Sequence, residues 1–172
     1  MGKLREPLNE IANCGLPAAL EAIGERWSFM ILRAAFNGVR HFEEFLSEIG
    51  IARNILANRL TRLTEAGILH RNPCPDDRRR VEYRLTAKGL DFLPTMIALR
   101  QWGERWETGV PSNPVLCDER DRRPIMQVSI RSHDDRILNN MDLCWIDASE
   151  VPAKATEITP EERSKVRKLG SA

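Results

Sequence analysis

The chain has little of what would make it a secreted protein, a membrane protein or an enzyme. Its four cysteines, Cys14, Cys74, Cys117 and Cys144, stand far apart with no Cys-x-x-Cys pair among them, so neither a disulfide framework nor a zinc site is expected from their spacing. No basic stretch followed by an apolar core precedes them, and they are read as reduced thiols of a cytoplasmic protein. Apolar runs are short. The longest, FMILRAAF, contains Arg33 and falls well below the roughly 20 residues that span a bilayer. The three histidines, His41, His70 and His133, lie in separate segments without a carboxylate or cysteine at motif spacing, and no glycine-rich phosphate loop is present. Catalysis needs a convergent acid, base or nucleophile, and none is legible. No cofactor and no metal are expected.

What is present is a globular composition, 42% apolar over 172 residues, with room for one domain and an extension. The net charge of +1 would argue against a nucleic-acid partner if it were evenly spread. It is not evenly spread. Between Arg53 and Lys88 nine Lys/Arg face four Asp/Glu, a local net of +5, which leaves −4 for the rest of the chain.

That basic segment has an order of its own. GIARNILANRLTRLTEAGIL supplies a helix and its stop, HRNP a strand, CPDDRRR a turn and VEYRLT a returning strand, which is the plan of a winged helix-turn-helix. At about 100° per residue, Ile55, Leu56, Leu60 and Leu63 form a buried stripe. Asn54, Ala57, Asn58 and Thr61 fall on the other side, with Arg53 at the entry and Arg62 on the flank. Asn and Arg are the side chains that read adenine and guanine edges in the major groove. Arg78, Arg79 and Arg80 cluster at the turn, where like charges repel unless an anion neutralises them, and a duplex backbone supplies that anion. Double-stranded DNA is the expected partner.

Upstream, residues 1–13 read as an N-terminal arm. A first helix is expected near Pro17, and Gly24 separates it from a second, Arg26 to Phe36, whose Trp27, Met30, Ile31 and Ala34 have the spacing of a core stripe. Val39 to His41 is a short extended piece, and Phe42 to Ile49 a helix that meets the next across Gly50. Downstream, Thr86 opens a long helix expected to run through Glu107 and to kink at Pro94. Its apolar positions cover more than one stripe, and Leu93, Ile97, Trp102 and Trp106 are expected to contact a second copy. The domain is therefore placed at 14–107. Residues 108–172 are a linker and an extension, with strands around Ile125 to Ile130 and Met141 to Ile146 and a short helix opened by Thr159. The fold class is mainly α with a small β-hairpin wing and a small β-containing extension.

With those elements placed, Cys14, the Gly24-x-x-Trp27 pair, Ile31-Leu32-Arg33, Arg59-Leu60-x-x-Leu63 ending at Gly67, and Val81-Glu82-Tyr83-x-Leu85-Thr86-x-x-Gly89 together resemble the HxlR-type family of winged-helix transcription regulators, relatives of the MarR group. The similarity runs from Cys14 to about Trp106. It implies a homodimer on an inverted-repeat operator, acting as a repressor or activator. It also implies groove-facing roles for Arg53, Asn54 and Asn58, a wing at Arg78 to Arg80, and a regular arginine at Arg59. By helical position Arg59 points sideways, so either phosphate clamping or an ion pair with a carboxylate such as Glu44 is open to it. Some members of that family sense oxidants or electrophiles through a cysteine placed like Cys14, near a helix end that favours thiolate; an inert buried thiol is the alternative. The chain departs from the family pattern at Ala52, where Ser is common as the N-cap, and in having no Cys-rich metal ribbon. A small-molecule effector in place of thiol chemistry, and a winged helix used for protein contact, are the competing readings.

Overall fold

The computed structural model describes residues 14–73 and 81–151. These fall into two compact units with the boundary after Met126. None of the helices in the described residues is long and apolar enough to cross a membrane.

In the first unit, α1 (Gly15–Ile23) starts two residues earlier than Pro17 suggested, because Cys14 is its N-cap: the Sγ accepts from the Leu16 amide at 3.4 Å. Pro17 still sits in the first turn, where no intrahelical N–H is needed. α2 (Arg26–Phe36) buries Ile31 and Ala34 as expected, but also Ser28, Leu32 and Ala35, while Trp27 and Met30 are only half-buried. The buried side is broader than one stripe because α2 packs on α3 (Phe42–Ile49), on α4 (Arg53–Glu65) and on the wing.

The turn between α3 and α4 depends on Gly50, which has φ 67° and ψ 32°, a left-handed conformation that costs a side-chain-bearing residue about 1 kcal/mol or more. After α4, β1 (Leu69–Pro73) and β2 (Val81–Leu85) pair antiparallel, with Leu69 opposite Leu85 and Pro73 opposite Val81. The intervening turn, with Cys74 and Arg78 to Arg80, lies outside the described residues. The extended piece around His41 acts as a third rung of the wing: Tyr83 N donates to Arg40 O at 2.8 Å, and His41 bridges Glu82. One core serves the helices and the wing together. Ile31, Leu32, Phe45, Leu56, Leu60, Leu63 and Leu69 are each no more than 1% exposed, and burying a side chain of this size contributes about 1.5–3 kcal/mol.

The expectation of one kinked helix from Thr86 to Glu107 is corrected. Thr86 caps a single turn, α5 (Ala87–Leu90), the chain bends at Asp91 and Phe92, and α6 (Leu93–Gly103) begins anew before a π-helical turn over Glu104–Thr108. Pro94 lies in the first turn of α6. Lacking an N–H and colliding with the carbonyl four residues back, it starts a helix more readily than it bends one. Phe92 packs against Phe29 in a tilted arrangement, ring centroids 5.6 Å apart and planes at 59°, which pins this restart to α2.

In the second unit, β3 (Ile130–Arg131) pairs with β4 (Ile137–Leu138). The expected partner strand at Met141 to Ile146 and the inclusion of Ile125 and Val128 in the first strand are therefore wrong. Ser132 to Arg136 makes the turn instead: Ser132 N donates to Arg136 O at 2.9 Å and Arg131 pairs with Asp135 at 2.7 Å. Short polar side chains that bond their own backbone favour such turns. The helix expected after Thr159 lies outside the described residues.

Candidate nucleic-acid interface

α4 owes its position to Leu56, Leu60 and Leu63, which are inside the core. That leaves Arg53, Asn54, Ala57, Asn58, Thr61 and Arg62 exposed, as their spacing predicted. Ala57 keeps the middle of this surface low, so the two amides can approach a flat partner. No side chain caps the helix at Ala52, so the first-turn N–H groups of α4 lack a side-chain acceptor from the N-cap residue.

The arginines around this surface are not equivalent. Arg53 is held by Glu43 through two hydrogen bonds of 2.8 and 2.9 Å and lies over the Phe42 ring at 5.3 Å. The hydrogen bond from Arg53 holds the Glu43 carboxyl below its ordinary range, against a smaller opposing effect of desolvation and with help from the guanidinium charge. Arg62 is exposed. Arg59 is the inward one: its side chain is 19% exposed and pairs with Glu25 at 2.7 Å. Of the two options open to Arg59, the ion pair is the one formed, and its partner is Glu25 in place of Glu44. Glu44 instead accepts from the backbone N–H groups of Arg40 and His41 at 3.1 and 3.0 Å, closing the start of α3. Thr61 donates its hydroxyl to Ala57 O at 3.0 Å, which leaves its lone pairs outward.

His41 and Glu82 were not singled out for a role by the sequence, yet they join the helix pair to the wing. His41 Nδ1 donates to Val81 O at 3.1 Å, and its Nε2 lies 3.9 Å from Glu82 Oε1. Glu82 in turn holds Arg84 at 2.7 Å. Its carboxyl is pushed down chiefly by the Arg84 hydrogen bond, opposed by desolvation, with the charges of Arg84, His41 and Arg40 adding to the lowering. The signal was a histidine at a helix start opposite a strand, but its partner lies 40 residues away in sequence.

Cys14, Cys117 and Cys144 are free thiols, and no group of three or more metal-ligating side chains is gathered among the described residues. Along α6, Leu93, Leu99 and Trp102 are 40%, 50% and 54% exposed, and Trp106 in the π-turn is 67% exposed. Ile97 is placed differently from the other residues expected at a subunit contact, lining a cavity with Arg100, Gln101 and Glu104.

This helix pair with a hydrogen-bonded wing is matched over residues 22–110 by the model of the HxlR-like helix-turn-helix family. The chain belongs to that family. It is 46% identical over 88 residues to the uncharacterized HTH-type transcriptional regulator Rv3095 of Mycobacterium tuberculosis, a stretch covering 51% of this chain and 56% of that protein. It thus spans about half the length of the mycobacterial relatives it matches. The crystal structure of PA1607, a candidate transcription factor, superposes with a TM-score of 0.73 at 34% identity and covers 83% of this chain and 99% of the other. A second candidate transcription factor, PA1374 of Pseudomonas aeruginosa, has a TM-score of 0.56 at 33% identity, covering 88% and 99%. The family match ends at residue 110, just past the π-turn, whereas both superposed structures cover more of this chain than that segment.

Proposed function

We propose that this HxlR-like chain is a sequence-specific, DNA-binding transcription regulator that acts as a homodimer on an inverted repeat in the cytoplasm. The observation that carries the proposal is the outer side of α4. Asn54, Ala57, Asn58 and Thr61 are all exposed on a helix whose other side buries Leu56, Leu60 and Leu63 and half-buries Ile55. A helix surface that only met water would favour Glu and Lys, whereas amides beside a small residue suit base edges. Asn54 and Asn58 read bases, Arg53 and Arg62 flank them, and Arg78 to Arg80 hold the backbone from the wing. Arg59 positions α4 through Glu25. The exposed Leu93, Leu99, Trp102 and Trp106 supply the contact between copies.

Cys14 is the candidate sensor within this reading, since its Sγ is a hydrogen-bond acceptor at a helix start. Oxidation or alkylation there removes the cap on α1, and α1 packs on α4. Diamide treatment should weaken operator binding of the wild type and leave Cys14→Ser unaffected. Equal responses of the two proteins would remove Cys14 from the mechanism.

The test of the proposal is selection of bound duplexes from a random DNA pool by the purified protein. Enrichment of an inverted repeat with half-sites about one helical turn apart, or a multiple of it, is expected. Failure to enrich any sequence at moderate salt would overturn specific reading by this chain alone.

A further inference from the structure

α6 is used differently on its two sides. Ile97, Arg100, Gln101 and Glu104, at intervals of three and four, face a cavity of about 170 Å³. Leu99 and Trp102 face water on the other side. The far wall of the cavity is supplied by Pro111, Val115, Leu116 and Ile125, which come after the segment matched by the family.

The wall is braced by the protein itself. Arg100 Nη2 donates to Pro114 O at 2.6 Å, Ser112 N donates to Glu104 Oε1 at 3.2 Å, and Gln101 Nε2 donates to Met126 O at 3.2 Å. Ile125 N donates to Leu116 O at 3.1 Å, closing the two apolar residues into a hairpin. The charges are spent as well: Arg100 Nε holds Glu104 Oε1 at 2.9 Å. Arg100 and Glu104 offset each other's charge, so neither an anionic nor a cationic occupant meets an unopposed charge of the other sign in the wall. An uncharged one needs none. The walls meanwhile leave apolar surface open to water, Val115 at 54%, Leu116 at 41% and Ile125 at 38% exposed.

We propose that this cavity binds a small uncharged aromatic or alicyclic molecule of about six to eight non-hydrogen atoms, a size suggested by apolar cavities of about 150 Å³ that hold benzene. Occupancy braces α6 against the segment after Gly109. α6 follows α5, and Thr86 ties the start of α5 back to the turn between α4 and β1 by donating to Gly67 O at 2.6 Å, so a ligand here acts on both the exposed stripe and the DNA-binding domain. That consequence rests on the dimeric, DNA-reading function proposed above; the binding does not.

The experiment titrates the full chain with toluene, and with benzoate as its charged counterpart, following methyl NMR signals of Ile97, Val115, Leu116 and Ile125 and the thermal midpoint. Toluene should saturate at one per chain with a Kd in or below the sub-millimolar range, shift those methyls and raise the midpoint. Benzoate should bind at least about tenfold more weakly. Val115→Trp and Leu116→Phe each fill part of the space; whichever of them unfolds cooperatively like the wild type should lose toluene affinity by about tenfold or more. The proposal is overturned by an absence of saturable toluene binding, by benzoate binding equally well, or by unchanged binding in a folded filled variant, which would place toluene elsewhere, for instance on Trp102. Sedimentation of the same samples separates the two readings: toluene binding to a chain that stays monomeric supports the pocket and counts against the dimer, whereas a dimer that takes up no toluene does the reverse.

Discussion

Gly89 shows how a single residue can be fixed by backbone proximity. A Cβ built there would stand 2.3 Å from Ile68 O and 3.0 Å from Leu85 Cδ2. The Ile68 carbonyl cannot retreat, because its oxygen accepts from the Thr86 amide at 3.1 Å. Gly89→Ala should therefore force α5 away from β1 and lower stability by roughly 1–3 kcal/mol, the range of overpacked sites; urea unfolding of the pair measures it, and a difference below about 0.5 kcal/mol would contradict the contact. Glu43 is a second residue with a definite role, since it tethers Arg53. Its carboxyl titrates below the ordinary value in the folded chain, so the tether is present above that value and is lost as pH falls through the depressed one. Glu43→Gln releases Arg53 at neutral pH without acid. If Arg53 reaches a phosphate, the variant should bind operator more tightly, with log affinity against log salt steeper by about 0.9 per dimer arm. An unchanged slope would assign Arg53 to the internal pair alone.

At the scale of elements, the wing is where non-specific attraction is expected to concentrate. Replacing Arg78, Arg79 and Arg80 by Ala should weaken binding to all duplexes alike and flatten the salt slope by about 0.9 for each phosphate that is no longer neutralised, whereas Asn58→Ala should leave the slope and relax the base preference. Gel shifts at several salt concentrations distinguish these, and identical behaviour of both variants would undo the division of roles. The helices α2, α3 and α4 could be placed from sequence because their apolar spacing repeats over two or more turns and a glycine marks each junction. The outer side of α4 was legible for the same reason. Arg59 and His41 were not, because their partners Glu25 and Val81 lie 34 and 40 positions away and no local pattern records such a pairing. The restart at Leu93 was misplaced because apolar spacing runs on through Phe92 while the backbone turns. β4 was missed because a two-residue strand is shorter than any period. In that hairpin Ser132 and Arg136 both bond Asp134 and bring its carboxyl down to about 2, Ser132 having the larger effect. The turn is thus held above the ordinary Asp range and released as pH falls through about 2; a carboxyl carbon titration of Asp134 with a midpoint near 4 would remove this bracing.

Across the whole molecule, a near-neutral chain with its positive charge gathered in one segment suits a protein that must approach DNA with one surface and another protein with a second. A single winged helix contacts too few base pairs to select one site among the many competing ones in a genome, and two copies on an inverted repeat multiply that selectivity. The surface proposed for the second copy is the α6 stripe, where Leu99, Trp102 and the π-turn Trp106 are each at least half exposed. Large aromatic side chains left in water are costly, and covering them drives association. Trp102→Glu places a carboxylate in the middle of this stripe while leaving the core untouched, so the variant should keep the wild-type far-UV spectrum and unfold cooperatively. In sedimentation velocity the wild type should run as a dimer and the variant as a monomer at micromolar concentration. On DNA the variant should bind a full inverted repeat no more tightly than an isolated half-site, a loss of at least about a hundredfold against the wild type. A Trp102→Glu protein that remains dimeric and keeps its preference for the full repeat would move the subunit contact away from α6.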